Sequence, residues 1–440
     1  MADKCDSIRS RLRDLEVELK DSQPTPGDIP VSKPPPHLNG LVREIAQTRL
    51  SLRACVESLL ARQWTVTGQA FIGSREIDTA VMRFMKAHAI RAMSVAIARE
   101  GTLGGNRGYT WAESTYPITQ PDTLFRVASV SKLFTCAAID RLVTTGAVSY
   151  GTPAFAFLGI VGPLLATQTP DTDIGKITVL QLAKRVSGLA DGFGADLRSI
   201  AGRLGQTLLP TRDQLCRYVY GEPLVARPGD VGPDKDGFYS NSAFTVLTSV
   251  VEKASGTYFI NYLRRELLAP LGISDVHVGA TAQNGRTANE VSTYDDLGSA
   301  PSQLDLRPGA VAPNAYGGQF LLENGEGSGG LIMSTGTVAR FLASHAVWNI
   351  GRREVGVRYG RLSGTGAAAI SRPDGLDFAF AFNRLIDDAH YDVLVAQINS
   401  ILDQHNRTVA ARFRRLVYRL TLAARVFIRI LRGRWDFGAK

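Results

Sequence analysis

The chain has 440 residues, 44% hydrophobic and 21% charged, a composition that excludes a disordered or collagen-like protein. Its formal charge of +9 is local: nine arginines and one lysine lie between Asn406 and Lys440 against the single Asp436, so residues 1–405 are neutral. A nucleic-acid binder would carry its basic face on the folded body, so that class is set aside.

The N-terminus, MADKCDSIRS, is polar and lacks the apolar run of a signal peptide, which predicts a cytoplasmic location with reduced thiols. The four cysteines form no CxxC pair and the six histidines do not cluster with them, so no metal or cofactor is expected. Ile8, Leu12, Leu15 and Leu19 recur at helical steps, Pro24 to Pro36 interrupts, and Leu41, Ile45, Leu50, Leu52 and Leu59 suggest a second helix. Residues 1–66 therefore read as a helical hairpin with a Pro-rich break. Cys5 and Cys55 fall near its open end, where reducing conditions leave them as two unpaired thiols.

Residues 67–405 have the texture of an α/β (α+β) body. Ile77, Val81, Phe84 and Met85 give an amphipathic helix, and 92–99 and 106–112 read as strands joined by the turn GTLGG. Residues 142–170 carry no charge, but Gly151, Pro153, Gly159, Gly162 and Pro163 break them into a buried loop and short helix, too short to span a membrane. Ala367–Arg372 and Leu376–Asn383 are strand-like around Pro373-Asp374-Gly375, and Tyr391 to Leu402 offers a helix. Strands at both ends around a helical middle imply one sheet assembled from distant segments.

Ser129-Val130-Ser131-Lys132 carries the sharpest chemical signal. Residues three apart share a helix face, so the serine and lysine point into one space. A serine hydroxyl needs a base to take its proton, and a desolvated lysine can be that base. Taken alone, the spacing is also that of a capping serine beside a surface lysine. Tyr239 can relay a proton and Asn241 can offer amide hydrogen bonds, although Tyr239 also fits a core aromatic with a satisfied hydroxyl.

The surroundings add a resemblance. Phe125-Arg126-Val127-Ala128-Ser129-Val130-Ser131-Lys132-Leu133-Phe134-Thr135 is similar to the FRxAS-xSK-xFT segment of the serine β-lactamase and penicillin-binding-protein superfamily. Phe238-Tyr239-Ser240-Asn241-Ser242 looks like its YxN element, and Leu268-Ala269-Pro270-Leu271-Gly272-Ile273 like its PLGM marker. The likeness covers about residues 74–404 and points to the class C β-lactamase and family VIII esterase branch. It implies a β-lactamase/transpeptidase-like fold, an antiparallel sheet flanked by helices with a helical subdomain. It also implies Ser129 as nucleophile, Lys132 as base, Tyr239 as its assistant and Asn241 as a substrate contact.

The third family element departs from the pattern. Relatives place KTG or HxG on a strand lining the site, yet no lysine occurs between Lys253 and Lys440. His277-Val278-Gly279 spells HxG directly after the PLGI marker, the wrong place. Arg361-Leu362-Ser363-Gly364-Thr365-Gly366 aligns with the element, with Leu362 at the cation position and Ser363, Gly364 and Thr365 beside it. By analogy the N–H groups of Ser129 and Thr365 form the oxyanion hole, and Arg361 or Arg372 stands in for the cation. Weak binding of an anionic carboxylate favours small esters, with weak β-lactamase or D-amino-acid peptidase activity as the close alternative. A non-catalytic binding or membrane-associated scaffold that keeps the fold is the distant one.

Residues 406–440 close the chain as a basic amphipathic helix, with Val409, Phe413, Leu416, Val417, Leu420, Phe427 and Leu431 on one face. That pattern predicts peripheral membrane contact, self-association, or packing on the body.

Overall fold

The computed structural model describes residues 3–21, 36–191, 197–230 and 238–407, apart from 297, 319 and 349. The Pro-rich break, except Pro36, and the basic tail, except Asn406 and Arg407, lie outside the described residues.

Helices α1 (Asp3–Asp21) and α2 (Pro36–Leu60) pack through Leu12, Leu15 and Leu19 against Leu41 and Ile45. Leu50, expected on the same stripe, instead faces solvent. Cys5 and Cys55 are joined in a disulfide with Cα atoms 5.9 Å apart, which corrects the expectation of two unpaired thiols. Packing of the two helices brings the start of α1 beside the end of α2, as the expected hairpin implies. Such bonds persist in oxidising compartments, so the pairing is at odds with reduced thiols. Closing a loop of this length restricts the unfolded chain by roughly 4 kcal/mol. Cys55→Ser, or added dithiothreitol, is therefore expected to lower the thermal midpoint of the hairpin while leaving ester turnover within about twofold; identical melting curves with and without reductant would show that the bond contributes nothing.

Six strands form the main sheet: β1 (Gln63–Gly68), β2 (Ala92–Arg99), β3 (Thr102–Ala112), β4 (Gly356–Leu362), β5 (Thr365–Ser371) and β6 (Leu376–Phe382). Their spatial order is β1-β3-β2-β6-β5-β4, with every neighbour antiparallel. β1 crosses the boundary expected at 66/67 and pairs with β3 along its length. β3 begins earlier than the sequence suggests. Glu100 (φ 49°) and Gly101 (φ 80°) both adopt positive φ, the two-residue turn that matches strand twist, so part of GTLGG is already strand.

Side-chain size alternates along the central strands. Met93, Val95 and Ile97 of β2, with Phe378, Phe380 and Phe382 of β6, face α3 (Ser74–Ala87) and the helix over residues 388–407. Ala92, Ala96 and Ala98, with Ala379 and Ala381, face the helical half of the molecule. Period-2 geometry turns this large/small alternation into two different surfaces. The small one lets helices come close, and there lie α4 (Ser131–Thr144), α5 (Asn241–Ser255) and α6 (Thr335–Phe341). Ser94 Oγ meets Thr335 Oγ1 at 2.8 Å across this contact. Beyond the end of α4, the uncharged 142–170 stretch holds the short helix Ala154–Leu158 between loops. No helix among the described residues is long and apolar enough to cross a membrane.

Candidate active site

Ser129 lies in a single 3-10 turn, Ala128–Val130, between the two-residue strand Phe125–Arg126 and α4. Ala128, immediately before it, has φ 47°, a left-handed conformation that costs a non-glycine residue about 1–3 kcal/mol. The strain presents Ser129 ahead of the helix rather than within it. Lys132 follows one turn later on α4, fully buried. Ser240 caps α5, its hydroxyl accepting from Ala243 N, and this fixes Tyr239 before the helix and Asn241 at its first position.

These residues converge on one amine. Lys132 Nζ lies 3.1 Å from Ser129 Oγ, 2.8 Å from Tyr239 OH and 2.7 Å from Asn241 Oδ1, and it also reaches the Ser328 carbonyl. Ser129 Oγ and Tyr239 OH are themselves hydrogen-bonded. Asp191 accepts from both Asn241 N (2.7 Å) and Nδ2 (3.0 Å). Because a carboxylate only accepts, it turns the Asn241 amide so that Oδ1 must face Lys132. Two obligate acceptors, Ser328 O and Asn241 Oδ1, thus match the two N–H groups of a neutral amine. The lone pair is left for the two hydroxyls.

The electrostatics agree with that arrangement. Burial pushes the Lys132 amine well below its ordinary value, and the buried Arg358 guanidinium adds to the shift, while Asp191 and Cys136 oppose it. Burial raises the Tyr239 phenol, partly offset by its bond to Ser129. Tyr239 is 41% exposed overall, yet its hydroxyl points inward at the cluster.

Above the cluster opens a cavity of about 1190 Å³, lined by Ser129, Tyr239 and Asn241 and walled by Leu197, Phe320, Leu321, Leu322, Leu362 and Leu385. Leu362 and Ser363 line it as expected; Gly364 and Thr365 do not. Gly364 turns the chain from β4 into β5 with φ 77°, against Tyr294 and Ala315. Thr365 is buried, its Oγ1 donating to the carbonyls of Arg126 (2.9 Å) and Phe382 (3.2 Å). The oxyanion expectation for Thr365 is corrected by register. Thr365 pairs with Leu362 at the closed end of a two-residue hairpin, where the partners exchange both hydrogen bonds. By the same alternation the Arg361 N–H faces the open edge of β4. Arg372 is remote from the cavity, held by Asp374, Asn399 and Asp403.

The sequence reading missed three participants: Asp191, Arg358 and the Ser328 carbonyl. Only Arg358 has a local signal, because Arg358-Tyr359-Gly360 places a cation and a glycine at the spacing of HxG.

The chain is similar to several known proteins. D-alanyl-D-alanine-carboxypeptidase/endopeptidase AmpH of Escherichia coli (strain K12) is 30% identical over 158 residues, which spans 36% of this chain and 37% of that protein. A beta-lactamase/D-alanine carboxypeptidase from Yersinia pestis superposes with TM-score 0.53 at 16% identity, covering 76% of this chain and 98% of the other. EstCE1, a hydrolase with promiscuous acyltransferase activity, gives 0.52 at 17% identity over 73% of this chain and 97% of its own. Likeness at such identities establishes the fold alone. The family model described as Beta-lactamase matches residues 77–393, well over half of the chain, and the protein therefore belongs to the beta-lactamase family of serine hydrolases.

Proposed function

We propose that the protein hydrolyses small, uncharged esters through an acyl-enzyme on Ser129. Lys132, as the free amine, takes the Ser129 proton while Oγ attacks the acyl carbonyl. Tyr239, bonded to both, passes a proton to the leaving alkoxide. The N–H groups of Ser129 and Arg361 receive the oxyanion, replacing the Thr365 assignment. Water then attacks the acyl-enzyme by the same route in reverse.

The observation that carries this reading is the Lys132 amine, set between two fixed acceptors and two hydroxyls at the foot of an apolar cavity. The preference for uncharged substrates rests on the cations that line the cavity among the described residues. Arg361 is paired with Asp388, and Arg198 donates to the carbonyls of Ser302 and Asp305. A substrate carboxylate would have to compete with these partners. Asn241, with its Oδ1 on Lys132 and one amide N–H on Asp191, keeps a single N–H for a substrate carbonyl.

A charge-assisted hydrogen bond to a ligand contributes about 1.5–3 kcal/mol. Its absence is expected to leave kcat/KM for nitrocefin or a D-Ala-D-Ala peptide roughly 10- to 100-fold below that for p-nitrophenyl butyrate. The match to AmpH favours the peptidase as second reading. Peptide turnover equal to or faster than ester turnover would replace the first with the second.

A further inference from the structure

Behind the cluster lies a charge that the steps above do not use. Arg358, on β4, is 1% exposed, and its Nε and Nη1 have no hydrogen-bond partner. It forms no ion pair with a carboxylate among the described residues, and it does not line the cavity. Burying an uncompensated charge is costly enough that the position calls for a reason.

The surroundings are built to hold it. The guanidinium carbon sits 4.1 Å from the centre of the Trp348 ring. Trp348 Nε1 donates to Val357 O at 2.6 Å, which pins the indole to β4 beside Arg358. The guanidinium of Arg185 lies over the same ring at 4.4 Å. An aromatic face partly replaces water around a cation without neutralising it. Neighbouring residues on β4 point the other way, Tyr359 to Asp392 and Arg361 to Asp388. Val357 and Tyr359 pack on the far core, whereas Arg358 lies over Trp348 on the helical core and Gly360, on the same side of β4, abuts the Ser129 turn. On that side Lys132 and Cys136 lie one turn apart on α4.

We propose that Arg358 is a positioning residue for Lys132: a permanent cation, stacked on Trp348 behind the lysine, that acts on the base and never touches substrate. The proposal rests on the acyl-enzyme reading of Ser129. Two cations buried on the same side of β4 oppose each other, and the weaker one yields its proton. Arg358 is pushed down to about 10 by burial and stays charged at neutral pH. The Lys132 amine, with the lower intrinsic value, yields. The groups facing Lys132 are Arg358 from β4, Cys136 from α4, Tyr239 from the segment before α5, and Asp191. Asp191 alone is an acid with a low ordinary pKa; it is solvent-exposed and already bound to Asn241, so screening weakens its counter-effect. The third family element then keeps its cation, moved from the substrate side of the site to the base side.

The test is the rate at which a fluorophosphonate labels Ser129 in the full chain between about pH 5 and 10, for wild type, Ser129→Ala, Arg358→Met and Arg358→Lys. Removing the guanidinium should move the acidic limb of the profile upward by about one pH unit. Arg358→Met is then roughly tenfold slower near pH 7 and equal to wild type on the alkaline plateau. Arg358→Lys, whose buried amine has the same intrinsic value as Lys132 and competes with it for a proton, should fall between wild type and Arg358→Met. If thermal melting shows Arg358→Met to be unfolded, Arg358→Gln takes its place. A folded charge-free variant whose limb does not move, or which is slowed equally at every pH, overturns the proposal. Failure to label wild type would instead remove the acyl-enzyme reading, and with it the base on which Arg358 acts.

Discussion

Ester turnover by Ser129→Ala is expected to fall by about 10³-fold or more, with Lys132→Met close behind and the double variant no slower than the worse single one. The magnitude follows from the wiring of the cluster. Ser129 Oγ, Tyr239 OH and Lys132 Nζ are mutually bonded, so removing the hydroxyl leaves nothing to acylate, and removing the amine leaves the hydroxyl without its base. Residues that act as a unit lose their function together, which is why the losses should not add. In Lys132→Met the thioether fills the buried channel, while Ser328 O and Asn241 Oδ1 lose their donor. Its melting midpoint should therefore drop, whereas that of Ser129→Ala should hardly change. Steady-state kinetics and covalent labelling check the first claim, and thermal melting the second. Ser129→Ala with wild-type turnover would show that Ser129 is not the nucleophile.

Gly360→Ala is the second severe change. An added Cβ would stand 2.1 Å from Val127 O and 3.2 Å from Ser129 N, both backbone atoms with no flexible end to swing away. Either β4 or the Ser129 turn must move. Displacing a nucleophile by about 1 Å is worth roughly 10² in rate, and forced overpacking costs about 1–3 kcal/mol. A 10²-fold loss in kcat/KM with a lowered melting point is the expected result. Gly202→Ala is the control: it lies in the helix Leu197–Arg203 with open space where the methyl would go, and should leave kinetics unchanged while slightly stabilising the helix. Wild-type kinetics in Gly360→Ala would show that β4 does not buttress the nucleophile.

What could be read from the chain depended on whether the physics was local. The stripe Ile77, Val81, Phe84 and Met85 became the buried face of α3, and the strand patterns at 92–99 and 376–383 became the centre of the sheet. β4 was missed because Gly-Val-Arg-Tyr-Gly-Arg-Leu has no apolar face, its buried members being an arginine and a glycine. Without that strand the sequence puts the third element on Leu362, and the buried cation four residues earlier, Arg358, carries no apolar pattern to mark it. Ser129, Lys132, Tyr239 and Asn241 lie within two short segments and converge as the resemblance implied. Asp191 could not be found that way, since its role is set by a contact across 50 residues. The Cys5–Cys55 pair is different: the hairpin pattern places both cysteines at its open end, and the expectation of free thiols fails on the assumed redox compartment, not on geometry.

The pairing of β2 with β6 sets a schedule for biogenesis. Their partnered residues are 277 to 289 positions apart in the chain, and β6 closes the middle of the sheet. At translation rates of about 5–20 residues per second, β2 waits roughly 15–60 s for its neighbour. Through that interval the β2–β3 hairpin presents Ala92–Arg99 as an unpaired edge, with the aromatic ladder Phe378, Phe380 and Phe382 still unmade. Nascent chains shorter than about 380 residues therefore lack a finished sheet and keep apolar strand surface exposed.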